Sequence, residues 1–322
     1  MFFKLSKKSE PKRILVISLT NIGDVVLTCP VIDILRRDFP RAQMDLVVGP
    51  KAVSLFADNP NFCIKVYDKQ FSLGQQFAWF ADLYKTHYDC VIDLRHTMLP
   101  ILLMAKYTTP VILKKTFEGH KKERYLNHLR QVYHFDSPSE ERHAVLTTDD
   151  DHFFEKEIAP ALQGKKFVVI APGAASLDKR WHIQGFAAVA DHLSKVYRVV
   201  FVGDAKDAEI VHDIQHRMKA SSLSLAGKLN LRQVAFVLKK CSWALVHDSG
   251  IMHLASYFNV PLVALWGPTN LDAYAPWGLK SVIVRRNEQC PRCRDPKNKE
   301  EHQCMSFIEV EDVIKAVGKI QQ

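Results

Sequence analysis

Residues 246–269 read Val246-His-Asp-Ser-Gly-Ile-Met-His-Leu-Ala-Ser-Tyr-Phe-Asn-Val-Pro-Leu-Val-Ala-Leu-Trp-Gly-Pro-Thr269. An apolar strand over 243–246 runs out at Asp248, Ser249 and Gly250 open a helix, and a second buried strand follows over 261–266. Two strands joined through a helix are parallel neighbours, so this stretch is a βαβ unit. Ser and Gly at the mouth of a helix leave backbone N–H groups pointing outward. With the helix dipole they make a seat for a phosphate or pyrophosphate. His253 lies one turn in, on the face of Ser249 and Gly250, where an imidazole reaches the same anion. The same spacing also fits a plain connection with Asp248 as N-cap and His253 on the surface.

Outward from this unit, short apolar runs alternate with helical stretches. Strands are expected over 13–19, 44–48, 64–67, 90–94 and 111–114 in the first half. In the second half they are expected over 167–171, 199–203, 222–226, 244–247, 262–266 and 282–285. Near-continuous Val/Ile/Leu runs separated by helices indicate parallel strands buried on both faces. Two such sets predict an α/β chain of two doubly wound domains, 1–150 and 151–322, with ligands at the C-terminal ends of the strands. The polar run 147–152 reads as the linker and hinge between them. Its Asp149-Asp150-Asp151 also resembles a metal-binding carboxylate motif, but its place between domains favours a solvated linker.

Two loops carry further chemistry. The strand over 13–19 runs into Asn21-Ile-Gly-Asp24, where Gly23 permits a tight turn and Asp24 opens a helix that Pro30 restarts or kinks. A carboxylate at a helix N-terminus stays ionised, which suits a proton acceptor; it also suits a cap. Pro172-Gly-Ala-Ala-Ser176 follows a buried strand, with Lys179-Arg180-Trp181 close behind. Lys and Arg at such an edge suit a pyrophosphate, or flank a core tryptophan as surface charges.

The 322 residues suffice for two cores, and the 47% hydrophobic and 25% charged residues fit a folded, soluble chain. No apolar run is long enough to span a bilayer and the N-terminus has no secretory h-region, so a cytoplasmic protein is expected. The net charge of +9 favours anionic partners, and without a nucleic-acid-binding module those are small anions or an anionic membrane surface. The seven cysteines read as thiols, with Cys29, Cys63, Cys90 and Cys241 in packing roles. Cys290-x-x-Cys293 followed by His302 and Cys304 has the spacing of a knuckle for zinc or iron, or is a tail of packed thiols.

The segments Asp248-Ser-Gly-x-x-His-x-Ala and Pro261-x-x-x-Leu-Trp-Gly-Pro-Thr resemble the donor-binding signature of the ADP-heptose:lipopolysaccharide heptosyltransferases. Asn21-Ile-Gly-Asp-Val-Val-Leu-Thr28, Pro172-Gly-Ala with Lys179-Arg-Trp181, Leu225-Ala-Gly-Lys-Leu-Asn-Leu231 and Pro276-Trp-Gly278 extend the resemblance along the chain. It implies the GT-B architecture, two Rossmann-like domains facing across a cleft, the first binding acceptor and the second the nucleotide sugar. It implies an inverting transfer of heptose from ADP-heptose to the lipopolysaccharide inner core or a related phosphorylated glycolipid, with Asp24 as general base. Donor contacts carry over to Lys179 (Arg180 as fallback), Asp248, Ser249, Gly250 and His253. Asp207 stands where the family usually has glutamate near the ribose, a departure that puts the ribose contact in doubt, and His247 stands where the family often has asparagine. No cofactor is required by this reading. The implied partners are the ADP-sugar, an anionic glycolipid acceptor and the inner-leaflet surface, with peripheral association at the cytoplasmic membrane and no nucleic acid. The alternatives are a nucleotide-sugar epimerase of similar fold, or a related transferase acting on a protein or another glycan.

Overall fold

The computed structural model describes residues 3–111, 118–145, 149–278, 280–295 and 297–321. The chain forms two compact units, Met1–Thr147 and Thr148–Gln322. In the first, β1 (Arg13–Ile17), β2 (Gln43–Val48), β3 (Phe62–Val66), β4 (Cys90–Asp93) and β5 (Tyr107–Thr108) form a parallel sheet in the order β3-β2-β1-β4-β5. Ile14, Leu15, Val16 and Ile17 are all buried, because a central parallel strand has covered faces on both sides. The order reverses between β1 and β4, and the rule for open sheets puts a ligand outside the carboxyl ends of those two strands.

Helix Ile22–Asp38 leaves the end of β1, carrying Asp24 in its first turn and burying residues 25–35. Pro30 lies inside this helix rather than restarting it. Gly23 is also helical, with no positive φ. The close approach falls instead to Gly49, where an added Cβ would stand 2.7 Å from the Thr20 Cα.

The second unit holds β6 (Phe167–Ala171), β7 (Arg198–Phe201), β8 (Leu223–Ser224), β9 (Ala244–His247), β10 (Leu262–Trp266) and β11 (Ser281–Arg285), again parallel. Their order is β11-β10-β9-β6-β7-β8, so the reversal lies between β6 and β9. Helices Ile183–Leu193, Asp207–Arg217 and Val310–Gln321 bury Phe186, Val189, Val211, Ile214, Val313 and Val317 against Ile170, Phe201, Leu245 and Leu265 of the sheet. Each such side chain contributes roughly 1.5–3 kcal/mol by leaving water, and together they hold the strand ends fixed.

Three expectations change. The fifth strand is the two-residue β5, paired with Cys90–Val91; of the segment 111–114, residues 112–114 lie outside the described residues. The acidic run is not a linker loop beyond 148. Asp149, Asp150 and Asp151 begin helix Asp149–Glu157, where the dipole favours negative charge. That helix docks through Phe154 on Phe167 and Phe236, with Asp151 Oδ1 2.9 Å from Lys240 Nζ. Cys63 is exposed, because β3 is the sheet edge, whereas Cys29, Cys90 and Cys241 are buried. No helix among the described residues is long and apolar enough to cross a membrane.

Candidate active site

At the reversal of the second sheet, β9 ends in His247 and helix Gly250–Tyr257 follows, with Ser249 as its N-cap in extended conformation. The cap is therefore Ser249 and not Asp248, and the Ser249 side chain caps nothing. Its Oγ is buried without a hydrogen-bond partner. A buried hydroxyl in that state costs about 1–3 kcal/mol, and at the mouth of a helix an incoming anion supplies what it lacks. His253 is 4% exposed and not a surface residue. Its ring stacks on Trp277 at 5.4 Å and 24°, with Tyr274 at 6.4 Å.

Asp248 turns its carboxylate toward the loop that follows β6. Lys179, at the end of the short 3-10 turn Leu177–Lys179, places Nζ 2.8 Å from Asp248 Oδ2. The aspartate side chain is 5% exposed and the lysine 28%, so a nearly buried anion fixes a cation that still reaches solvent. Such an anchored ammonium can face a second anion without searching for its position. Arg180 instead donates through Nε to Ala174 O at 2.9 Å, which ties the glycine loop to its own base.

His247 is fully buried, and its Nε2 accepts the Trp181 backbone N–H at 2.9 Å. The indole N–H of Trp181 donates to Ile308 O at 2.9 Å. The departure at 247 thus has a structural use: it clamps the Lys179-Arg180-Trp181 segment to the end of β9. Asp207, the first residue of helix Asp207–Arg217, accepts from the Asp204 N–H at 3.0 Å. Burial raises its carboxyl pKa, partly offset by the Asp204 backbone bond and by Arg180.

A Cβ on Gly173 would stand 2.2 Å from the Asp207 carboxyl atoms, and one on Gly203 2.6 Å from Asp207 Cβ. The carboxylate is wedged between two glycines. Gly173→Ala is therefore expected to destabilise the protein by about 1–3 kcal/mol, as overpacking does. A melting temperature equal to wild type in a thermal denaturation series would contradict the wedge.

In the first unit, Asp24 is half-exposed, and the Asn21 side-chain amide donates to its Oδ2 at 3.3 Å. Across the strand reversal, Asp93 at the end of β4 is buried and accepts from the backbone N–H groups of Arg95 and Thr97 and from the Thr97 hydroxyl. Those contacts occupy Asp93 in holding the loop, whereas Asp24 faces outward. His96, at positive φ, meets the buried ring of His128 at 4.6 Å. Both ring nitrogens of His128 lack a partner. No pattern in the sequence marked His128, and Trp277 was part of a recognised segment without an assigned role.

Burial holds His247 at about 4, and burial with the neighbouring His96 holds His128 at about 4. In the unfolded chain histidine titrates near 6.5, so between those values the unfolded state binds more protons than the folded one. Stability therefore falls as pH drops through that window. Melting temperatures across it should decline, and the variant His128→Gln/His247→Asn should show a flatter decline. An equal slope in that variant would refute the assignment.

The cysteine tail also assembles. Cys290, Cys293, His302 and Cys304 bring their ligand atoms within 4.8 Å of one another, so His302 and Cys304 converge despite their short separation in sequence.

The profile of glycosyltransferase family 9 (heptosyltransferase) matches residues 103–303. The lipopolysaccharide core heptosyltransferase OpsX of Haemophilus influenzae is 23% identical over 303 residues, covering 87% of this chain and 86% of its own. A glycosyl transferase family 9 structure from Veillonella parvula superposes with a TM-score of 0.78 at 26% identity, covering 96% of this chain and 97% of its own. The Escherichia coli heptosyltransferase WaaC, solved with ADP, gives a TM-score of 0.74 at 17% identity, covering 96% and 99%.

Proposed function

The chain belongs to glycosyltransferase family 9, the heptosyltransferases, and from that premise we propose that it moves a heptose from ADP-heptose onto the lipopolysaccharide inner core. It is a glycosyltransferase, and its two parallel sheets are those of the GT-B fold. One observation carries the donor reading. Lys179, Asp248, the orphaned Ser249 hydroxyl and the N-terminus of helix Gly250–Tyr257 meet at the strand reversal of one sheet, as a pyrophosphate requires. The solved WaaC complex with ADP supports the nucleotide, and the name of OpsX supports the core acceptor.

In this proposal the donor sugar leaves in a single displacement with inversion at its anomeric carbon. Asp24 takes the proton of the acceptor hydroxyl as the new bond forms, so no covalent enzyme intermediate is needed. The anomeric carbon passes through an oxocarbenium-like state. As the glycosidic bond breaks, charge grows on the departing diphosphate, and Lys179, Ser249 and the helix N-terminus are already aimed there. His253, stacked on Trp277, adds a hydrogen-bond donor on the same face. Asp207 is read as the ribose contact and Arg180 as support for the loop. The first unit binds the acceptor and the second the donor.

The net charge of +9 supports work at the inner face of the cytoplasmic membrane, where the glycolipid presents anionic groups. The Cys290/Cys293/His302/Cys304 cluster is read as a structural site for zinc or iron. Mass spectrometry of core oligosaccharide from a deletion strain tests the acceptor. Loss of one heptose and of whatever is attached beyond it is expected. An intact core would point to a protein or another glycan.

A further inference from the structure

The segment after β11 carries four donors that the transfer chemistry leaves unused. Cys290 and Cys304 are wholly buried, and Cys293 and His302 half-buried. Cys293 Sγ lies 3.7 Å from Cys304 Sγ and 3.4 Å from His302 Nδ1. A tetrahedral zinc with Zn–S of about 2.3 Å and Zn–N of about 2.0–2.1 Å sets S···S edges near 3.8 Å and S···N edges near 3.6 Å. The two distances fall close to those edges. The Gln303 N–H donates to Cys290 Sγ at 3.3 Å, and the Cys293 and Arg294 N–H groups both reach Cys290 O at 3.1 Å. One backbone N–H thus already points at the first sulfur, and the turn after Cys290 closes on its carbonyl, which orients the ligand from outside the site.

The knuckle is continuous with the Lys179 segment. Met305 follows Cys304, and its Sδ lies 3.4 Å from the place a Cβ on Gly267 would occupy. That same place is 3.2 Å from Asp178 O and 3.5 Å from Lys179 Cα. Asn287, just ahead of the knuckle, donates through Nδ2 to Gly267 O at 3.1 Å, and Ile308, just after it, accepts the Trp181 indole N–H. The C-terminal end of the cysteine segment is thus bonded to Trp181 directly, and its N-terminal end reaches the same region through Gly267, whose neighbours are Asp178, Lys179 and Met305.

Building on the structural-metal reading and on the donor role of Lys179, we propose that these four residues close a Cys3His site for one zinc ion. The closed knuckle is a positioning device that holds residues 178–181 where the donor pyrophosphate binds. Binding displaces the three thiol protons to solvent, His302 ligates through Nδ1 as neutral imidazole, and no electron changes hands.

The test uses the full-length protein. Elemental analysis after purification without added metal should give one zinc per chain. Cobalt(II) added to the stripped protein should give the visible bands of a tetrahedral thiolate site. Stripping with a chelator, or Cys293→Ser, should weaken ADP binding by calorimetry about tenfold, the size of one charge-assisted contact. The chelation arm covers the case in which Cys293→Ser fails to fold. No zinc together with only hydrated-cobalt absorption would overturn the site. Full zinc with ADP affinity unchanged on stripping would overturn the positioning role. Zinc-loaded wild type that does not bind ADP at all would overturn the donor reading and that role with it, while the metal analysis still decides the site.

Discussion

Replacing Asp24 by alanine is expected to lower kcat by roughly 10²–10⁴-fold, the usual worth of a positioned general base, and to leave ADP affinity unchanged. The expectation follows from placement. Asp24 stands in the first turn of helix Ile22–Asp38, half-exposed at the strand reversal of its sheet, and accepts a long 3.3 Å hydrogen bond from the Asn21 amide. Asp93, at the end of the adjacent strand, is buried and committed to the Arg95 and Thr97 backbone, so it cannot substitute. Asp24→Asn, which keeps shape and loses basicity, should be nearly as slow as Asp24→Ala. Single-turnover kinetics with the authentic acceptor separate the chemical step from binding. Near-wild-type turnover in either variant would remove Asp24 from the mechanism.

Lys179→Ala should cost about 10²–10³-fold in kcat/KM, the range found when one preorganised donor to developing charge is removed. Two effects add here. The pyrophosphate loses a cation, and Asp248 is left as a nearly buried carboxylate without its partner, which repels the incoming anion. Asp248→Asn in the Lys179→Ala background should recover part of the loss by removing that repulsion. Steady-state kinetics of the single and double variants, with melting curves to control for unfolding, provide the check. Equal rates for wild type and Lys179→Ala would show that the ion pair is structural only.

The parallel strands were legible because a strand covered on both faces must be apolar along its length, as in Ile14–Ile17 and Phe167–Ala171; the strand order that places each reversal comes only from the pairing. The two-residue β5 was not, since Tyr107–Thr108 gains its place only by pairing with Cys90–Val91. Asp149-Asp150-Asp151 looked like linker because charge is an equal signal for solvent and for a helix start; the docking of Phe154 decides between them. At the site, the residue types at Lys179, Ser249 and His253 were readable as candidates for binding an anion. The Lys179–Asp248 pair was not, because it joins positions 69 residues apart. Neither was the His247–Trp181 bond, since a buried imidazole and a surface one have the same letter. The cysteine spacing announced a cluster, and only the fold shows four ligand atoms converging.

The central claim is that this chain transfers heptose with inversion and does not rearrange its donor. Incubation with β-linked ADP-heptose, with and without a heptose-deficient core glycolipid, followed by NMR of the sugar products, tests it most directly. The account predicts an α-linked heptose on the glycolipid when acceptor is present, and only slow hydrolysis when it is absent. A donor isomer formed without acceptor, or a β-linked product, would contradict it.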